Sequence, residues 1–334
     1  MADIATRPRT ATLRTAVAVA VALASVSVLA RLADPSRVEW LRAYMVIFGS
    51  LLVQALPFVT LGAFAAALVE VFVPIGTLEK LGRLPRPLQL PAAALAGIAF
   101  PICECGSVPV ARRLAQRGLM PSAAITFMLA APVLNPVVIA STYVAYRGRS
   151  TLWTMVPGRF LLGFLVAIAA GWVLGARSKE ELLKPAPKDA HEHTVELGRP
   201  EARWRKFFVH FGNDFLFMGR FLLLGATVAA AIQTFLPASI LTGIGGTPVV
   251  GLLVMMALAA ALSLCSESDA FVAASFVQFG PSAQLAFLVS GPMVDAKLIA
   301  LYGGTFRRGF VRTIVIVVAA ATLVGTMWIG VLFG

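Results

Sequence analysis

The sequence predicts an all-α polytopic membrane protein built as two inverted repeats. Each repeat has three transmembrane helices and a re-entrant broken-helix hairpin, and one extra helix precedes them at the N-terminus. Three observations predict this. The 334 residues are 59% hydrophobic and 13% charged, with mean hydropathy +0.86, which excludes an ordinary soluble domain. Apolar runs of membrane-spanning length recur along the chain. The two halves also match each other at paired prolines, glycines and cysteines.

A span needs about 20 apolar residues. Such runs lie near 13–31, 44–73, 88–104, 121–145, 152–176, 207–236, 248–265, 282–303 and 310–333. The first follows Arg7, Arg9 and Arg14 and is rich in small residues, as a secretory signal peptide also is. It is expected to be an uncleaved span, because no soluble domain follows it. The organisation expected is 1–43 as tail and extra helix, 44–176 as first repeat, 177–206 as charged linker and 207–334 as second repeat.

The repeat shows on shifting the sequence by 160 positions. Pro121-Ser-Ala-Ala-Ile-Thr-Phe127 through Pro132 to Asn135 then falls on Pro281-Ser-Ala-Gln-Leu-Ala-Phe287 through Pro292 to Asp295, and Cys105 falls on Cys265. A shift of 163 aligns Phe48-Gly49 with Phe211-Gly212, Leu61-Gly62-Ala63 with Leu224-Gly225-Ala226, and Pro74 with Pro237.

Charge decides the orientation. The net charge of +12 comes from basic residues gathered in short loops, as the positive-inside rule expects, and does not imply nucleic acid. If every apolar run crosses, Arg112, Arg113, Arg117 and the linker fall outside, although the linker alone holds eight Lys/Arg. If instead 88–104 enters only to mid-membrane, turns at Pro101-Ile102-Cys103-Glu104-Cys105-Gly106 and returns through 106–118, these residues become cytoplasmic. So do Lys80, Arg83, Arg86, Arg307 and Arg308. Each leg of about 13 residues reaches roughly 20 Å, enough for the middle of a bilayer. The uncharged stretches 237–247 and 276–281 then lie outside, while Arg147 and Arg149, and Arg31, Arg37 and Arg42 (mixed with Asp34 and Glu39) after the first span, remain against the rule. Each half makes an odd number of crossings, so the halves are inverted. Inverted repeats with interrupted helices place substrate at the repeat interface.

Two thiols, a carboxyl and a Pro/Gly frame are costly inside an apolar segment, which makes the Pro101–Gly106 break the first candidate site. Thiolates select soft ions, so Cys103, Cys105 and the repeat mate Cys265 are candidate ligands for a soft metal or metalloid, as either a two-thiol or a three-thiol site. The second break, Ser263-Leu264-Cys265-Ser266-Glu267-Ser268-Asp269, is more polar. Glu104, Glu267, Asp269 and Lys297 are candidates for proton or ion coupling, and Asn135 and Asp295 for substrate contact. Asn135 alternatively holds a backbone end, and Asp295 with Lys297 alternatively forms a structural ion pair. Pro132 and Pro292 are expected to interrupt or kink their helices beside the re-entrant tips, with Pro101 and Gly106 framing the first break. Arg112, Arg113 and Arg117 read as a cytoplasmic anchor. His191 and His193 lie in the polar linker and read as solvated rather than metal-binding.

The run Pro101-Ile-Cys-Glu-Cys-Gly-Ser-Val-Pro-Val-Ala-Arg-Arg-Leu, with Phe127-Met-Leu-Ala-Ala-Pro-Val-Leu-Asn-Pro-Val-Val-Ile-Ala-Ser-Thr142 after it, resembles a bacterial family of predicted permeases. Its best-known members export trivalent organoarsenicals. The resemblance covers about 44–333 and is strongest at 100–142. It implies a multi-pass protein of the bacterial inner membrane, for which the charge pattern leads us to expect a cytoplasmic N-terminus and linker. It further implies efflux, with Cys103 and Cys105 as candidate arsenical ligands and Asn135 nearby. Related permeases are associated with other soft metals. No cofactor is implied, and no P-loop (GxxxxGK[ST]) occurs in the sequence, so pumping is expected to be secondary-active, driven by an ion gradient, or to be driven by a separate subunit. The partners expected are the lipid bilayer and a small soft metalloid or organoarsenical, with a homo-oligomer left open. Two competing readings stand beside this one: a permease for an anion or small solute with cysteines that only pack, and a membrane thiol oxidoreductase.

Overall fold

The computed structural model describes residues 39–72, 85–99, 102–175, 200–235 and 248–333. The expected N-terminal span, Pro101, residues 177–199 of the linker and the 237–247 stretch lie outside the described residues. Every regular element described is an α-helix. In chain order these are α1 (Glu39–Phe72), α2 (Arg86–Ala99), α3 (Glu104–Gln116), α4 (Pro121–Leu134), α5 (Pro136–Tyr146) and α6 (Leu152–Leu174). The second half continues with α7 (Pro200–Phe235), α8 (Pro248–Leu262), α9 (Asp269–Ser275), α10 (Pro281–Ser290), α11 (Ala296–Thr305) and α12 (Arg308–Phe333). Five stretches among the described residues are long and apolar enough to cross a membrane: 39–72, 121–146, 152–174, 204–235 and 308–331.

The order of elements in 39–174 recurs in 200–333: a long helix, a short apolar helix, a break, a further short helix, a pair of short helices and a long final helix. The packing recurs in part. α2 packs on α4 as α8 does on α10, and α4 on α6 as α10 does on α12. Across the halves α1 packs on α7, α6 on α12, α3 on α11 and α5 on α9.

α1 and α7 run antiparallel. Trp40 at the start of α1 meets Phe235 at the end of α7, with ring centroids 5.8 Å apart, and Phe72 at the end of α1 meets Trp204, 6.0 Å apart. Their 34 and 36 residues extend roughly 50 Å at 1.5 Å per residue, more than a hydrocarbon core of ~30 Å. Exposed Val53, Leu61, Leu224 and Val228 on these helices suit lipid. α7 starts at Pro200, so the last residues assigned to the linker are helical.

The apolar runs 121–145 and 282–303 are broken rather than kinked. Pro132 lies inside α4, and the chain is interrupted only at Asn135. Asn135 precedes Pro136, which disfavours helical backbone, and it sits at φ −52°, ψ 129°. Its Oδ1 accepts the Val137 N–H at 2.9 Å and so starts α5. In the second half Pro292 lies in the turn between α10 and α11. Asp295 takes the capping position, accepting the Leu298 N–H on Oδ1 at 2.6 Å. The pair aligned by the repeat therefore does one job, capping the second of two short helices.

The first break is likewise shifted. Cys103 is the N-terminal cap position of α3, while Cys105 and Gly106 lie in its first turn. Gly106 does not break the helix. It lets α3 approach α1 closely, since a Cβ at Gly62 would overlap the Cα of Gly106.

Candidate functional site

The two breaks meet inside the protein. Glu104, 1% exposed, stands on α3 between Cys103 and Cys105, which are 3% and 6% exposed. From the second half Lys297 of α11 places Nζ 3.4 Å from Glu104 Oε1 and 3.5 Å from Asp295 Oδ2. Ser266 of the second break donates to Glu104 Oε2 at 3.2 Å. One carboxylate at the first break is thus held by a hydroxyl and an ammonium from the other half.

A second buried ion pair lies beside it. Arg159 of α6 is fully buried and bonds Asp269 of α9 through both terminal nitrogens, at 2.8 and 2.7 Å. The same guanidinium donates to Thr142 Oγ1 at 2.9 Å and to the Ser266 carbonyl at 3.3 Å. The fork shape of arginine suits this bidentate grip. The two pairs differ in character. Arg159–Asp269 is short and bidentate, whereas Lys297 is shared between two carboxylates at longer range.

Ser263 ends α8 in the left-handed region at φ +48°, a conformation that costs a non-glycine residue about 1–3 kcal/mol. Its Oγ accepts the Ala296 N–H at 3.2 Å, which ties the second break to α11. Both carboxylate oxygens of Glu267 are buried and make no hydrogen bond among the described residues. Glu104, Asp269 and Arg159 act on it electrostatically. Four carboxyl groups (Glu104, Glu267, Asp269, Asp295) therefore face two cations (Arg159, Lys297) in this region.

All three cysteines are free and buried. Cys103 and Cys105 share a cluster with Ala55, Val59 and Ala63 of α1 and Met218 and Leu222 of α7. Cys265 sits apart from that cluster, facing Lys297, Glu104 and Cys105 electrostatically. Among the described residues no three His, Cys, Asp or Glu side chains converge as a metal site. The structure brings Cys103, Glu104, Cys105, Cys265, Glu267, Asp269, Asp295 and Lys297 to the meeting of the breaks. Asn135 and Asp295 each spend one oxygen on a helix cap, and Pro132 and Pro292 belong to the surrounding scaffold.

Two participants escaped sequence reasoning. Arg159 was detectable as an arginine within the apolar run 152–176. Met218 carried no signal, because one methionine in an apolar helix resembles any packing residue. The arginines of α3 also differ from the anchor expected. Arg113 bonds Asp214 of α7 at 2.9 Å and lies 3.4 Å from Glu70 of α1. Arg117 pairs with Glu70 at 2.9 Å and also donates to its carbonyl. These half-buried pairs fasten the end of α3 to both long helices. Arg149, which violated the charge rule, donates to the Ala274 carbonyl at 2.7 Å and so holds the end of α9.

Comparison with known proteins completes the site. The ArsP_1 family, described as predicted permeases, matches residues 40–331. UPF0718 protein YcgR of Bacillus subtilis is 37% identical over 283 residues, which cover 84% of this chain and 95% of that protein. A putative two-component membrane permease complex subunit of Streptococcus mutans is 34% identical over 289 residues, 85% of this chain and 95% of that protein. No solved structure matches the chain. Apolar helices of spanning length, interrupted helices with charges buried where they meet, and a match over nearly the whole described region agree: the chain is a membrane permease and belongs to the ArsP_1 family.

Proposed function

We propose that this permease exports a soft, thiol-reactive species by a secondary-active cycle, with trivalent organoarsenicals as the leading substrate class. The observation that carries the reading is the pair of free, buried thiols flanking Glu104 where the two halves meet. A trivalent arsenical bearing one organic group takes two thiolates, and Met218 adds a third soft sulfur to the same cluster. The apolar and aromatic wall of that cluster, with Phe58, Phe211 and Phe215 packed against it, suits the organic group. The excess of buried carboxyls over cations gives the cycle groups that exchange a coupling cation. The antiparallel packing of the repeat mates α1 and α7, and the cross-half pairs α3 with α11 and α5 with α9, support an inverted arrangement.

The test is resistance of an arsenic-sensitive bacterial host to a trivalent methylarsenical, with arsenite, antimonite, copper and zinc in parallel. Wild-type protein is expected to confer resistance, and Cys103→Ser and Cys105→Ser to lose it at unchanged membrane abundance. Full resistance in both variants removes the thiols from the mechanism. Transport of an anion or neutral solute by a cysteine-free variant would establish the solute-permease reading instead.

A further inference from the structure

A groove of about 570 Å³ opens on the surface between α11 and α12, within the ~300–1,000 Å³ range of small-molecule sites. Its apolar part is lined by Ile299 and Gly303 of α11 and by Val311, Val315 and Ile316 of α12. Arg308 and Arg312 line the same groove. On α12 the lining positions 308, 311, 312, 315 and 316 follow the three-and-four spacing of a single helix face, with both arginines at its start. The groove surface is therefore almost wholly apolar, with the two arginines bordering it at the start of α12.

Three further observations say what fits it. Arg308 and Arg312 are exposed and have no ion-pair partner among the described residues, whereas Arg113, Arg117, Arg159 and Lys297 all pair with carboxylates. No Asp or Glu occurs in the sequence after Asp295, so the two arginines and neighbouring Arg307 have no nearby counter-ion in the chain that follows. The adjacent glycines Gly303 and Gly304 differ in role. A Cβ at Gly304 would run into the Phe221 ring, but one at Gly303 would meet nothing within 4 Å among the described residues, so it would point into the groove.

α12 has 26 residues, ~39 Å against a hydrocarbon core of ~30 Å, so it is longer than the core, and the arginines at its start suit the headgroup end. We propose that this groove is a binding site for an anionic phospholipid, with the phosphate on Arg308 and Arg312 and one acyl chain along Gly303, Val311 and Val315. Guanidinium groups match phosphate oxygens, and basic pockets between transmembrane helices recognise anionic headgroups. The site is separate from the buried thiols and stands whatever the permease carries.

The test uses the full-length protein purified in a neutral detergent. The unfolding midpoint and lipid retention in native mass spectrometry are followed as phosphatidylglycerol, phosphatidylcholine or glycerol 3-phosphate is added. A saturable rise in midpoint and retained phosphatidylglycerol are expected, with neither from phosphatidylcholine nor from glycerol 3-phosphate. The double variant R308Q/R312Q is expected to lose the rise. Gly303→Leu, which keeps every charge and fills the groove, is expected to lose it too, both variants unfolding at the wild-type midpoint without lipid. Equal rises from both phospholipids, a rise from glycerol 3-phosphate alone, or a retained rise in both variants would overturn the proposal. So would a dimer that Gly303→Leu dissociates while phosphatidylglycerol has no effect.

Discussion

Arg159 is the most deeply committed single residue. A guanidinium in an apolar helix is tolerated because Asp269, Thr142 and the Ser266 carbonyl take four of its donor contacts. Removing one partner of a buried pair leaves the other charge stranded, at about 3–5 kcal/mol, whereas replacing both by apolar groups is often nearly neutral. Arg159→Leu should therefore lower the thermal midpoint sharply, and Arg159→Leu combined with Asp269→Leu should recover most of the loss. A double variant no better than the single one would mean that Arg159 acts mainly on Thr142 and the Ser266 carbonyl. Lys297 has the opposite character. Its ammonium is shared at 3.4 and 3.5 Å between Glu104 and Asp295, a looser arrangement suited to a group that changes partners.

At the scale of elements, the informative comparison is between Asn135 and Asp295. Both cap the second of two short helices, and losing a cap costs about 0.5–2 kcal/mol. Asn135→Ala should fall in that range by thermal unfolding, while Asn135→Ser, which keeps an uncharged acceptor for the Val137 N–H, should lose less. Asp295→Asn keeps an acceptor for Leu298 but removes the charge facing Lys297, so its loss should show in transport more than in folding. A second element-level device is the close approach of α1 and α3 at Gly62 and Gly106. Gly62→Leu would push α3 and its two cysteines away from α1. Overpacking of this kind costs about 1–3 kcal/mol, and the variant should unfold at a lower midpoint and lose resistance together with the Cys103→Ser protein.

For the whole molecule, the decisive property is which way each half faces the membrane. From the charge pattern we propose that the linker and the start of α12 face the cytoplasm and the 237–247 stretch faces outside. In a cysteine-free background, Thr242→Cys should react with a membrane-impermeant maleimide in intact cells. Ala190→Cys and Gly309→Cys should react only after the membrane is opened. Labelling of Ala190→Cys in intact cells would reverse the orientation, and labelling of all three would break the inverted arrangement itself.

Legibility differed by residue. The repeat was readable because prolines, glycines and cysteines are poor accidental matches, and it predicted that Asn135 and Asp295 share a position. It did not reveal that Pro132 stays inside α4 while Asn135 carries the break, since that depends on Pro136 restricting the residue before it. The arginines of α3 read as surface anchors because their partners Glu70 and Asp214 are distant in sequence.

The sequence by itself determined a helical membrane protein in two matched halves, with thiols and carboxyls at two interruptions, because composition, span length and spacing are local quantities. The tertiary structure alone decided the pairings: Lys297 with Glu104, Arg159 with Asp269, and Met218 with Cys103 and Cys105. The reason is physical. A buried charge must find its counter-charge wherever the packed helices bring one within reach, and for Glu104 and Asp269 that place is the other half of the chain.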